Sequence, residues 1–329
     1  MLVLLLVVGG AAILGGAYLF TNAVEWAGHR LGLGEGAVGT ILAAVSTALP
    51  ESIVPVVAVL RGGPDSDEVA IGAIVGAPFM LATIAMALVG ITALAYSRRR
   101  QQGRTLEVHR PTLRRDLVFF LLLLTAALLL GIGGPAAIRY ACAPLFVVAY
   151  GAYVVLTLRH GGEQQREDDL ESLLADPSKH DPPATWMVAG QFGAGLALII
   201  GGAHLFVEQL LAIAERLDAS PLVLALLLAP LATELPEKVN SLFWIREGKD
   251  SLALGNITGA MVFQATLPVA IGVGLTDWKL DSFAILAALL ALAGALLALW
   301  SLHLRRRFTV PAIIGWLALF VAFAVTVAV

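Results

Sequence analysis

The chain has 329 residues, 59% of them hydrophobic and only 14% charged, with a mean hydropathy of +0.87. That balance excludes a soluble globular domain and marks an integral membrane protein. A single cysteine, Cys142, excludes an internal disulfide and any multi-cysteine metal site, and the formal net charge of -3 says little because charge in such a chain is sorted by side of the membrane.

Apolar runs of about 20 residues, each long enough to cross a hydrocarbon core of roughly 30 Å as a helix, recur from end to end. The short alternating segments of a β-barrel are absent. The first run opens MLVLLLVVGG, with neither a basic leader segment nor a small-residue cleavage site, so it reads as a retained first span. Ten spans are expected, at 2–27, 36–60, 67–96, 116–133, 135–158, 185–215, 220–245, 250–276, 281–303 and 308–328. Arg98, Arg99, Arg100, Arg104, Arg110, Arg114 and Arg115 crowd the loop after the third span, and Arg305, Arg306 and Arg307 follow the ninth. Both loops follow odd-numbered spans, so the positive-inside rule puts both in the cytoplasm, with the N- and C-termini outside a cell (inner or plasma) membrane.

The chain repeats itself. Residues 15–51 lie on residues 201–237 without a gap, so that GGAYLF falls on GGAHLF and TALPE (47–51) on TELPE (233–237). Further on, GAIVGA (72–77) falls on GNITGA (255–260), the loop between being three residues shorter in the second copy. Two motifs at matched spacing carry far more weight than either alone. Five spans separate the copies, so the second enters the membrane from the opposite side. The expected architecture is an all-α membrane protein of ten transmembrane helices, in two inverted five-helix repeats with broken helices at the midplane. The first repeat covers 1–158 with its motif at 39–83, a hydrophilic cytoplasmic linker covers 159–184, and the second repeat covers 185–329 with its motif at 225–266.

Each copy sets a proline and a glutamate together inside an apolar run, in STALPES (46–52) and LATELPE (231–237). Proline lacks an N–H and its ring clashes with the carbonyl four residues back, so Pro50 releases the carbonyl of Ser46 and Pro236 that of Ala232. Thr47 and Glu51 are four apart, as are Thr233 and Glu237, which puts a hydroxyl and a carboxylate on one face in each copy. A carboxylate in the bilayer core costs at least about 2.5–3.5 kcal/mol, so a matched pair points to a compensating cation or proton. Carboxylate, hydroxyl and carbonyl oxygens are the ligands hard cations prefer.

With these residues in place, the sequence resembles the sodium/calcium exchanger family of the cation/calcium antiporter superfamily. Its two repeats each look like a G-T-S-x-P-E element followed by G-N-x-x-G-S-N, and here the elements read VSTALPE and LATELPE, then GAIVGAPFMLA and GNITGAMVFQA. The resemblance implies an antiporter that exchanges Ca²⁺ for Na⁺, or in related branches for H⁺, by alternating access. It also implies that Glu51 and Glu237 are the paired central glutamates and that Thr47 and Thr233 supply oxygen. Departures from the pattern are Ala48 and Glu234 in place of serine, Ala77 with Pro78 and Ala260 with Met261 in place of G-S-N, and Leu81 and Gln264 where a further polar ligand is usual. The candidate ion ligands are therefore Glu51, Glu237, Thr47, Thr233, Glu234 and Gln264, with the backbone oxygens of Ser46 and Ala232. Fewer flanking ligands argue for fewer Na⁺ sites, and a proton-coupled exchanger or a degenerate homologue that does not transport stays open beside Ca²⁺/Na⁺ exchange.

Glu234 and Glu237 are three apart, and carboxylates that close repel one another unless a cation stands between them. Lys238 reads as snorkelling away from the site, with a tethered cation filling an empty site as the alternative. Gly72, Gly76, Gly255 and Gly259 form small-xxx-small patterns for close packing and can mark a second pair of broken helices. His204 and Glu208, four apart in the sixth span, are expected to make an interhelical hydrogen bond near the outer interface, with a proton relay as the alternative, and Glu25 and Trp26 are expected at the membrane interface. The acidic segment from Gly161 to Pro183 has no EF-hand spacing and reads as a solvated linker. No H-E-x-x-H, G-x-S-x-G or Ser/Lys pairing is present, so no enzyme is expected. The partners are inorganic cations and the lipid bilayer, with no nucleic acid; no cofactor is expected beyond the transported Ca²⁺, Na⁺ or H⁺, and one chain suffices.

Overall fold

Long apolar runs in lipid must satisfy every backbone group internally, which leaves the helix as the available solution. The computed structural model describes residues 1–30, 43–159, 172–176, 183–305 and 308–328, and these contain helices and connecting turns with no strand. The helices are α1 (Leu2–Arg30), α2 (Ala43–Arg61), α3 (Pro64–Met80), a π-helical turn (Leu81–Ala85), α4 (Met86–Ala95), α5 (Arg110–Gly133) and α6 (Ala136–Arg159). After the linker come α7 (Thr185–Leu217), α8 (Pro221–Thr233), α9 (Leu235–Glu247), α10 (Asp250–Gln264), α11 (Leu267–Leu275), α12 (Ser282–Arg305) and α13 (Val310–Ala328). Among the described residues eight segments are long and apolar enough to cross a membrane. Expected spans 36–60 and 220–245, which carry STALPES and LATELPE, fall outside that set: α2 is described only from Ala43, and the apolar part of the other ends at Thr233.

Small residues set which helices touch and in which direction. Helices α1 and α7 cross with Gly9 against Gly202 and Gly16 against Gly195, so they run antiparallel. A methyl group at Gly16 would lie 2.8 Å from the Gly195 carbonyl oxygen, and one at Gly202 2.8 Å from that of Gly9. Such contacts tie helices in lipid by dispersion, where apolar burial adds no driving force. In α3, Gly72 faces the carbonyl of Leu222 and Gly76 that of Leu226, so α3 and α8 run parallel. For Gly255 no described atom lies within 4 Å, and the segment that the repeat sets opposite it lies outside the described residues.

The described part of the linker, 172–176, is not a solvated strand of chain as expected. Leu173 is buried against Ala23, Trp26 and Val188, so Trp26 packs inside the protein. The Leu174 N–H donates to Asn22 Oδ1 at 3.1 Å, the Ala175 N–H to Gln191 Oε1 at 2.7 Å, and Gln191 Nε2 to Asn22 Oδ1 at 2.8 Å. Two amide side chains in α1 and α7 thus satisfy backbone that would otherwise stay in solution.

Candidate functional site

The second copy of the proline motif breaks its helix outright. Helix α8 ends at Thr233, Glu234 takes a non-helical conformation (φ −101°, ψ 6°), and Pro236 falls in the first turn of α9. The sequence predicts a broken helix at each proline motif, and here the break falls just before Pro236 because the residues before a proline disfavour helix, and a proline in a first turn needs no N–H partner. The first copy departs from that expectation: α2 runs through Pro50 and Pro55 as one helix. Glu51 follows Pro50 and is buried, 6% exposed. Helix α2 packs against α8 and α10, whose ends carry Thr233 and Gln264, and against α11.

At the break Thr233 and Ala232 are buried, and the Thr233 hydroxyl donates to the Ala229 carbonyl at 3.2 Å. Glu234 is fully buried and holds two partners: Lys238 Nζ lies 2.5 Å from Oε2, and Gln264 Nε2 donates to Oε1 at 2.8 Å. Lys238 therefore points into the protein, 5% exposed, contrary to the expected snorkelling. The carboxylate accepts only, so the amide orientation of Gln264 is set: its nitrogen faces Glu234 and its oxygen faces away. That oxygen is buried and makes no hydrogen bond among the described residues. The structure thus brings Glu234, Gln264 and Lys238 together, with Thr233 adjacent. Ser46, Thr47 and Glu237 lie in helical backbone, in α2 and at the start of α9, and their side chains lie outside those described.

The second motif is also interrupted in both copies. The π turn Leu81–Ala85 follows α3, and the gap Ala265–Thr266 follows α10. The Thr83 hydroxyl donates to the Phe79 carbonyl at 2.6 Å and the Thr266 hydroxyl to that of Val262 at 2.8 Å, the same bond at repeat-related places. These threonines escaped the sequence reading, although AT recurs directly past Leu81 and Gln264. The π turn keeps its carbonyls engaged while re-aiming the helix.

Two further polar clusters lie away from the break at Glu234, one of them reaching the GNITGA motif through Thr258. Asp116 of α5 accepts from Thr258 Oγ1 at 2.8 Å, Tyr153 OH at 3.1 Å and Arg115 Nη2 at 3.1 Å, joining α5, α6 and α10. Arg100, one of the loop arginines, is buried against Asp250, which also accepts from the Glu107 N–H at 2.9 Å. Sequence spacing has no way to pair residues so far apart in the chain. His204 and Glu208, by contrast, are exposed on α7, and the expected interhelical hydrogen bond from them is absent among the described residues.

The sodium/calcium exchanger protein family matches residues 1–159 and 187–329. The putative antiporter CaxA of Alkalimonas amylolytica is 28% identical over 263 residues, 78% of this chain and 77% of that protein. The inner membrane protein YrbG of Escherichia coli K12 is 25% identical over 251 residues, 75% of this chain and 71% of that protein. Among solved structures, the H⁺/Ca²⁺ exchanger CAX superposes with a TM-score of 0.75 at 21% identity, over 100% of this chain and 82% of that one. The sodium-calcium exchanger NCX_Mj superposes with a TM-score of 0.60 at 19% identity, over 99% of each chain. These likenesses establish a shared fold, and the family match spans nearly the whole sequence: the chain belongs to the sodium/calcium exchanger family of membrane cation antiporters.

Proposed function

We propose that this antiporter exchanges Ca²⁺ for Na⁺ by alternating access, with Glu51 and Glu237 binding the transported ions in mutually exclusive states. Thr47, Thr233, Gln264 and the backbone oxygens of Ser46 and Ala232 complete the ion's shell. The observation that carries this reading is a buried oxygen set: Glu51 beside Pro50 within α2, Thr233 at the end of α8, and the unengaged amide oxygen of Gln264 at the end of α10. Helix breaks inside a bilayer are tolerated where they line an ion pathway, and two carboxylates match the charge of one Ca²⁺. The work is vectorial transport and not catalysis.

The ten spans divide into inverted five-helix repeats, in a cell membrane, with both termini outside. The antiparallel crossing of α1 with α7 supports this reading, since those helices are repeat-related, as does the parallel course of α3 beside α8. A second reading, H⁺ as the counter-ion, is favoured by Ala48, Ala77 and Leu81, apolar where the family's first repeat carries oxygen ligands. Uptake of ⁴⁵Ca²⁺ into proteoliposomes under an imposed Na⁺ gradient, compared with an imposed pH gradient, separates the two. Glu51→Gln and Glu237→Gln are expected to abolish uptake in folded protein, and robust exchange by either would remove the assignment.

A further inference from the structure

The turn between α5 and α6 reads GGPAAIRY (133–140), in which Gly134 and Pro135 stop one helix and start the next, and Arg139 follows one turn into α6. The 24 residues of α5 carry the chain about 36 Å from the arginine-rich loop, so this turn lies at the other end of the bundle. Among the described residues Arg100 is paired with Asp250 and Lys238 with Glu234, whereas Arg139 makes no hydrogen bond and no ion pair although it is only 8% exposed. An arginine keeps its charge at any working pH, so it has no way to relieve its burial by losing a proton. A buried charge without a counter-charge is costly, which points to an anion supplied from outside the chain.

The surroundings narrow the anion. Helical side chains lean toward the N-terminus, and the Arg139 Cγ lies 3.3 Å from where a methyl group on Gly134 would be, so the side chain runs back along the start of α6. Its Nε is sealed off without an acceptor, while its two terminal nitrogens, equally without one, reach the surface. The Ala136 and Ala137 N–H groups at that helix start find no acceptor among the described residues either. The loop after α11 packs on the end of α5, with the Leu280 N–H donating to the Gly131 carbonyl at 3.3 Å, but its acids are engaged elsewhere. Asp277 accepts from Lys279 Nζ at 3.1 Å and Asp281 from the Ala284 N–H at 2.7 Å. Ile132, Ile138 and Tyr140, on the same ends of α5 and α6, are more than half exposed.

We propose that Arg139 and the start of α6 bind the phosphate of a membrane phospholipid, whose acyl chains lie along the exposed apolar side chains of α5 and α6. The guanidinium is a planar fork of donors that matches two phosphate oxygens, and a helix start adds free N–H groups and the positive end of its dipole. The end of a span is where lipid headgroups lie. A free phosphate ion offers the same oxygens, but gains nothing from the apolar side chains beside them. The site is separate from the ion-binding residues and stands whether or not the antiport reading does.

The test is a change of sign. Delipidated protein in a non-ionic detergent is melted by tryptophan fluorescence, alone and with dioleoyl phosphatidylglycerol, with dioleoylglycerol (the same chains without phosphate) or with inorganic phosphate. Alone, Arg139→Met is expected to melt above the wild type, because it removes an uncompensated buried charge. With phosphatidylglycerol the wild type is expected to rise by about 3 °C or more relative to Arg139→Met and overtake it, while dioleoylglycerol leaves their order unchanged. Should Arg139→Met fail to assemble, native mass spectrometry is expected to show the wild type holding one phosphatidylglycerol more than Arg139→Lys, which keeps the charge and loses the fork. Equal shifts of the wild type and Arg139→Met, or equal lipid counts in the wild type and Arg139→Lys, overturn the proposal. A rise with inorganic phosphate as large as with the lipid overturns the assignment to a phospholipid and leaves a site for the free ion.

Discussion

Removing Asp250 is expected to cost more than any other single truncation outside the ion site. One guanidinium nitrogen of Arg100, Nη2, reaches both Asp250 oxygens at 2.5 and 2.6 Å and the Thr105 carbonyl at 3.2 Å, and both side chains are fully buried. The guanidinium Nε and Nη1 are buried with no hydrogen bond among the described residues. Asp250→Ala therefore leaves a buried cation with one neutral acceptor, which costs about 3–5 kcal/mol. That is roughly a hundred- to several-thousand-fold in the folding equilibrium. It also strips the Glu107 N–H of its acceptor and the start of α10 of its acidic residue, each worth about 1 kcal/mol or less. Asp250→Asn keeps an acceptor at Glu107 and should fall between. The decisive variant is Arg100→Met/Asp250→Leu, which removes both charges and fills the volume; it is expected close to the wild type, since apolar replacement of a buried pair is often neutral. Thermal unfolding in detergent by tryptophan fluorescence measures all three. An Asp250→Ala protein that melts with the wild type, or a double variant as damaged as the single one, would refute the reasoning.

The repeated glycine pairs make a sharper contrast. Gly15 and Gly201 meet nothing within 4 Å, whereas Gly16 and Gly202 lie on backbone across the α1–α7 crossing. Gly15→Ala and Gly201→Ala should be neutral or stabilise by about 0.5–1 kcal/mol through helix propensity, while Gly16→Ala and Gly202→Ala should lower the yield of monodisperse protein in size-exclusion chromatography. Asn22→Ala removes the acceptor shared by Leu174 and Gln191, and limited proteolysis is expected to cut near residues 172–176 much faster than in the wild type. Asp116→Ala leaves the Thr258 and Tyr153 hydroxyls without their acceptor, at about 1–3 kcal/mol each, whereas Tyr153→Phe should cost only about 0.5–1.5 kcal/mol; equal damage from both in thermal unfolding would contradict the network.

Much of this protein could be read before any coordinates. The apolar runs placed helix boundaries to within a few residues, because length and hydropathy are imposed by the bilayer and hardly depend on neighbours. The proline motif pointed to an interrupted helix, which its second copy has and its first, continuous through Pro50, does not, and the interruption past the glycine motif was legible as well, had the alignment been carried past Gln264 to Thr266. The direction in which Lys238 points was not legible. On a helix of unknown orientation a long cationic side chain reads equally as snorkelling or as buried, and only the approach of Gln264 from α10 and the break at Glu234 decide it.

By itself, then, the amino-acid order determined a helical membrane protein and a motif that recurs with a proline and a glutamate in each copy, because local periodicity and self-similarity need no third dimension. Tertiary structure alone decided that Glu234 is already paired with Lys238, that Asp116 and Arg100 are held by residues more than a hundred positions away, and that part of the linker is docked. The reason is physical. In a low-dielectric interior the state of a charge depends on the few atoms within about 4 Å of it, and those atoms come from helices that sequence distance does not order.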